Sequence, residues 1–144
     1  MPDLSEAERP PPPGFGPSTV RGAFSRHNGP IFERVGEGRI ERGFYVLDRH
    51  CNGFGVLHGG MVTTFLDALL AAQGRVTTGR VGMTIQLSTD FLHMARQGDW
   101  VAGDAVVTRQ TSDLLFIEGR ACVGGRDIAR AHAIFKLMKP RRAE

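Results

Sequence analysis

The sequence predicts an α+β domain in which a curved, mainly antiparallel sheet wraps one long helix. Three observations carry this expectation. Residues 60 to 73 are apolar nearly all round, so a helix there needs cover on more than one side. The segments before and after it alternate with a period of two, as half-buried strands do. Glycine-marked links between several of those segments suit hairpins, which join antiparallel neighbours.

Taken in order, residues 1–18, MPDLSEAERPPPPGFGPS, hold six of the eight prolines. Proline lacks an amide donor and fixes φ, so this segment is expected as a mobile tail or an extended arm. It precedes a single domain over residues 19–144. TVRGAFSRHN (19–28) reads as a short helix closed by Gly29-Pro30 and weakened by Gly22. IFERV and RIERGFYVLD read as a hairpin around Gly36 and Gly38, with Phe44 and Val46 on one face and Tyr45 and Leu47 on the other. The helix of residues 60–73 follows, with Gly74 and Gly79 marking its exit. In VGMTIQLSTDFL, alternation places Val81, Met83, Ile85, Leu87, Thr89 and Phe91 on one face. It places Gly82, Thr84, Gln86, Ser88 and Asp90 on the other. DWVAGDAVVTRQ, LLFIEGRACV and DIARAHAIFKLM are three more strands, the last two joined at Gly124-Gly125, where glycine supplies the positive φ of a tight turn.

Composition narrows the function classes. At 144 residues the chain suits one core, and a net charge of +3 is far below that of a dedicated nucleic-acid binder, yet it suits a protein handling an anionic small molecule. With two cysteines, Cys51 and Cys122, there is neither a disulfide framework nor an all-cysteine zinc site. No signal-like or membrane-length apolar segment is present, the pattern of a reduced, cytoplasmic domain without a membrane partner. No zinc motif, dinucleotide glycine signature or P-loop calls for a cofactor.

The chemistry gathers in HCNGFGVLHGGMVTTFLDALLAAQ, residues 50–73. Asp67 is one carboxylate in an apolar helix, where charge is costly unless hydrogen-bonded. Two roles are open to it: a partner for a buried hydroxyl, amide or subunit contact, or a general base holding water in a small cleft. Gly59 and Gly60 either form a tight turn with close packing or expose amides at a helix start to a developing oxyanion. His58 is a packed core histidine that shapes the loop or a member of the site. Asp67 lies seven positions beyond Gly60, roughly 10 Å along a helix. A base and an oxyanion donor must each come within about 3 Å of the reacting groups. One helix therefore serves both poorly, whereas two chains arranged head to tail can share a site.

The pattern Asn52, Gly55, His58-Gly59-Gly60 and Asp67, in this order of elements, resembles the hotdog-fold acyl-CoA thioesterases of the phenylacetic-acid-degradation type over about residues 28–138. The resemblance implies a homodimer with joined sheets and composite sites, with dimers often pairing into tetramers. It implies Asp67 as the residue that activates or positions water and Gly59 as the backbone donor to the thioester oxygen. Asn52 helps to place the substrate, and His58 positions rather than abstracts a proton. Thr84 is the nearest match to a hydroxyl the family places beside that carboxylate, with Ser88 further along the same expected face. Coenzyme A enters as part of the substrate. Phe24, Phe54, Gly60, Met61 and Phe65 are candidate lining for an aryl or medium-chain acyl group, or core. Arg75, Arg80 and Arg96 are candidate phosphate contacts, or a solvated basic edge. His93 and Met94 replace the basic residue and proline common in the family. Two other functions share this pattern: a hotdog dehydratase, and a non-catalytic acyl-CoA binding protein that would not need Asp67.

Overall fold

The computed structural model describes residues 8–140. Its elements are β1 (Gly16–Pro17), α1 (Ala23–His27), β2 (Phe32–Gly36), β3 (Arg39–Tyr45), α2 (Gly59–Thr78), β4 (Gly82–Phe91), β5 (Trp100–Gln110), β6 (Leu114–Val123) and β7 (Arg126–Leu137). The strands form one antiparallel sheet in the order β1-β2-β3-β5-β6-β7-β4, curved around α2. This is the expected α+β hotdog architecture. Between them, the inner face of the sheet and α2 bury Phe44, Leu66, Leu69, Leu70, Leu115, Ile117 and Phe135 completely. Gly124 and Gly125 both take positive φ, at 56° and 80°, in the turn between β6 and β7.

The helix departs from its expected form in two respects. It continues to Thr78 and ends at Gly79, whose φ of 71° makes a left-handed cap. Gly74 lies inside it because a Cβ there would come within 2.7 Å of Leu115 Cδ2, so the glycine serves packing, not termination. The sheet also covers only one face. Met61, Val62, Phe65, Leu66, Leu69, Leu70, Gln73 and Gly74 are buried, whereas Thr63, Thr64, Asp67, Ala68, Ala71 and Ala72 are half-exposed. Small alanines made the sequence look apolar all round while leaving a second face open.

Close approach of helix and sheet depends on glycine in the strands as well. A Cβ on Gly103 would lie 2.5 Å from the Arg120 carbonyl oxygen and 2.8 Å from Leu69 Cδ2. Gly103→Ala is therefore expected to lower stability by about 1–3 kcal/mol through overpacking. A shift in the urea midpoint without a change in slope checks this.

Strict alternation fails in β4. Gly82 and Thr84 pair with Leu137 and Phe135, whose side chains face α2, and so do Leu87, Thr89 and Phe91 through Ala133, Ala131 and Ala129. A β-bulge between Thr84 and Gln86 supplies the extra residue that switches faces. Val81, Met83 and Ile85 consequently point away from the helix and are exposed, contrary to the single-face expectation. Ser88, opposite His132, lies on the outer face, where Gln86 Nε2 donates to its Oγ (2.9 Å).

Residues 8–17 pack against the sheet, with a turn at Pro13-Gly14 ahead of β1. Tyr45 Oη donates to the Pro10 carbonyl (3.0 Å), the Arg9 guanidinium stands 4.1 Å above the Tyr45 ring, and Phe15 packs edge-on against Trp100. Residues 1–7, the start of the expected tail, lie outside the described residues. None of the described helices is long and apolar enough to cross a membrane.

Candidate active site

The loop leading into α2 is tied at several points. His50 is buried: its Nδ1 accepts from the Leu47 amide (3.0 Å), and its Nε2 lies 2.7 Å from the Asn28 carbonyl oxygen, to which it donates. Burial holds its pKa below the ordinary histidine value. Its own carbonyl accepts from the His58 amide (2.8 Å), and the Leu57 amide donates to Ala95 (2.9 Å). No local pattern distinguishes His50 from the other histidines, and only its burial reveals that it anchors this loop.

Asn52 organises the turn inside the loop. Its Oδ1 accepts from the Phe54 and Val56 amides at 2.9 and 3.2 Å, and Gly55 supplies a φ of 72°. With Oδ1 occupied, Nδ2 is the atom that Asn52 has left to offer a substrate. Phe54 is carried on the outside of this turn at 90 % exposure.

At the helix start His58 is the N-cap, and its Nδ1 accepts from the Gly60 amide (2.8 Å). The Met61 and Val62 amides both donate to the His58 carbonyl oxygen. Among the described residues the Gly59 amide has no acceptor. It opens beside a cleft of about 290 Å³ lined by Val56, Leu57, Phe91, Met94 and Ile128 among others. A Cβ on Gly59 would sit 3.3 Å from Phe91 Cε1, so the absence of a side chain lets the Phe91 ring flank this amide. Alternation along β4 placed Phe91 on a strand face without marking it as part of the site, and it is 59 % exposed here.

Asp67 is on the open face of α2, half-buried and not enclosed. Thr84 Oγ1 donates to its Oδ1 at 2.7 Å. The bulge in β4 creates this pair by turning Thr84 towards the helix. Asp67 Oδ2 has no partner among the described residues, so the carboxylate can accept a proton from water while Thr84 fixes its orientation.

The remaining candidates separate by environment. Met61 and Phe65 belong to the core, and both also border a small crevice beneath the α1 segment. Phe24 is exposed on α1. Arg80 spends its guanidinium on the carbonyl oxygens of Met138 (2.8 Å), Ser112 (2.9 Å) and Leu137 (3.4 Å), which makes it a clamp on strand ends. Arg75 is exposed in the last turns of α2, and the exposed Arg96 pairs through its backbone with Val56. Cys122 donates to Asp127 Oδ1 (3.1 Å), and burial together with that carboxylate pushes its thiol up to about 11, leaving no thiolate nucleophile at neutral pH.

A family model described as the thioesterase superfamily matches residues 54–136, more than half of the chain. The chain belongs to the thioesterase superfamily. Asn52 falls just before the matched span, whereas His58, Gly59, Asp67 and Thr84 fall within it. This thioesterase-superfamily chain is 30 % identical over 129 residues to PA0474 of Pseudomonas aeruginosa, a protein given an esterase description, covering 88 % of this chain and 96 % of that one. Among solved structures it resembles a Streptococcus mutans protein bound to acetyl CoA (TM-score 0.75, 19 % identity, 86 % of this chain and 97 % of that one). It also resembles the Escherichia coli PaaI protein of the phenylacetic acid degradation operon (TM-score 0.75, 19 % identity, 82 % and 86 %). At such identities the two structures establish the shared fold.

Proposed function

We propose that this chain hydrolyses the thioester of an acyl-CoA carrying an aryl or medium-chain acyl group. The observation that carries this reading is the 2.7 Å hydrogen bond from Thr84 to Asp67, which orients a carboxylate on an open helix face with its second oxygen available to water. A passive binding protein has less use for a carboxylate prepared in this way. Acetyl CoA bound to the similar Streptococcus mutans protein supports the choice of substrate class.

In the proposed reaction Asp67 Oδ2 takes a proton from water as the water oxygen attacks the thioester carbon. The carbonyl oxygen gains negative charge and is received by the Gly59 amide, while Asn52 Nδ2 helps to place the acyl group. Collapse of the tetrahedral adduct expels coenzyme A thiolate and leaves the free acid. Arg75 and Arg96 are the basic residues proposed to meet the phosphates; the Arg80 guanidinium is already engaged by three carbonyls. Release of free thiol across a panel of acyl-CoAs tests the reading, and a panel with no turnover overturns it.

The two functional ends belong to different chains in this proposal. Gly59 and Asp67 are eight residues apart on α2, roughly 12 Å along its axis. The working unit is accordingly a homodimer in which Asp67 of one protomer faces Gly59 of its partner, with pairing into a tetramer as an additional level. Mixing Asp67→Asn protein with a Gly59→Pro variant should regenerate activity absent from both parents, because random reassociation gives heterodimers with one intact site. Exchange verified by mass spectrometry without recovered turnover would sink the shared-site arrangement.

A further inference from the structure

We infer that His58 is a positioning residue, whose ring decides which of the two glycine amides at the start of α2 faces the substrate. This rests on the thioesterase reading for its catalytic consequence and on geometry alone for its structural part. His58 Nδ1 accepts from the Gly60 amide at 2.8 Å, so that donor is consumed inside the protein. The neighbouring Gly59 amide is left as the first-turn donor without an acceptor among the described residues. A nitrogen that accepts carries no proton, so the neutral ring is held with its hydrogen on Nε2. In that state His58 has no lone pair left for use as a base.

The second glycine of His58-Gly59-Gly60 has its explanation in the same contact. A Cβ on Gly60 would lie 2.9 Å from His58 Nδ1 and 3.2 Å from its Cε1. A side chain at Gly60 therefore expels the ring from its capping position. The two glycines serve different needs: one admits Phe91 and keeps an open amide, while the other admits the imidazole.

Four variants test the assignment through kcat, KM and amide exchange. His58→Ala should lower kcat about five- to tenfold with a smaller change in KM, since the lost cap loosens the helix start. His58→Asn, which offers a capping oxygen but no imidazole, should return kcat to within about twofold of wild type. Gly60→Ala should reproduce the His58→Ala loss, and the double substitution should add little to either, because both remove one contact. Amide exchange reads the cap without substrate: Gly60 should be protected in wild type and His58→Asn and fast in His58→Ala. An Asn variant as impaired as the Ala variant overturns the inference in favour of direct ring chemistry. So does an unprotected Gly60 amide in wild-type protein. If wild-type protein releases no thiol from any acyl-CoA but Gly60 is protected as described, the thioesterase reading fails and the capping assignment stands.

Discussion

Asp67→Asn is expected to fold normally and to lose about 10²–10⁴-fold in thiol release, the usual worth of a positioned general base. Folding should survive because the replacement amide retains an oxygen that can accept from Thr84 Oγ1, the hydrogen bond that holds the native carboxylate. The half-exposed position also limits the cost of exchanging a charged group for a neutral one. Catalysis should not survive, since an amide cannot take the proton of attacking water. Thermal unfolding and initial rates measured on the same preparation separate the two properties. A folded variant with near-native turnover across the substrate panel would remove Asp67 from the mechanism.

Gly59→Pro is expected to lose about 10²–10³-fold in kcat relative to Gly59→Ala, the scale seen when one oxyanion donor is deleted. The comparison isolates a single hydrogen. Gly59 is the first residue of α2, where proline is well tolerated, and His58 before it has φ −65° and ψ 134°, the extended geometry that a following proline requires. Both variants place a Cβ 3.3 Å from Phe91 Cε1, so crowding of that ring is common to them. Only proline removes the N–H. Equal rates for the two folded variants would show that the Gly59 amide does not meet the developing charge.

The separation of Asp67 from Gly59 bears on the division of labour between chains. If Asp67 and Gly59 acted within one protomer, they would have to span roughly 12 Å of helix. The open alanine-rich face of α2 and the exposed outer edge of β4 lie beside Asp67, where a second copy could complete the site.

Much of the architecture was legible in local pattern. Alternation located the long strands, glycine located the turns at Gly38, Gly79 and Gly124-Gly125, and one apolar run located the central helix, because each signal depends on residues adjacent in sequence. The spacing of His58-Gly59-Gly60 from Asp67 drew attention to both ends of the candidate site for the same reason. Tertiary structure decided what those residues do. Gly74 reads locally as a helix exit, but Leu115 packs against it; Arg80 reads as a phosphate contact or part of a solvated basic edge, but its guanidinium is engaged by three carbonyls at strand ends. Strict alternation grouped Thr84 with Ser88. A bulge, whose cost and gain depend on the partner strand, separated them and brought Thr84 to Asp67. The choice between the amides of Gly59 and Gly60 was likewise invisible in two identical letters. It came from the placement of one imidazole, by a backbone held through His50 and the strands around it.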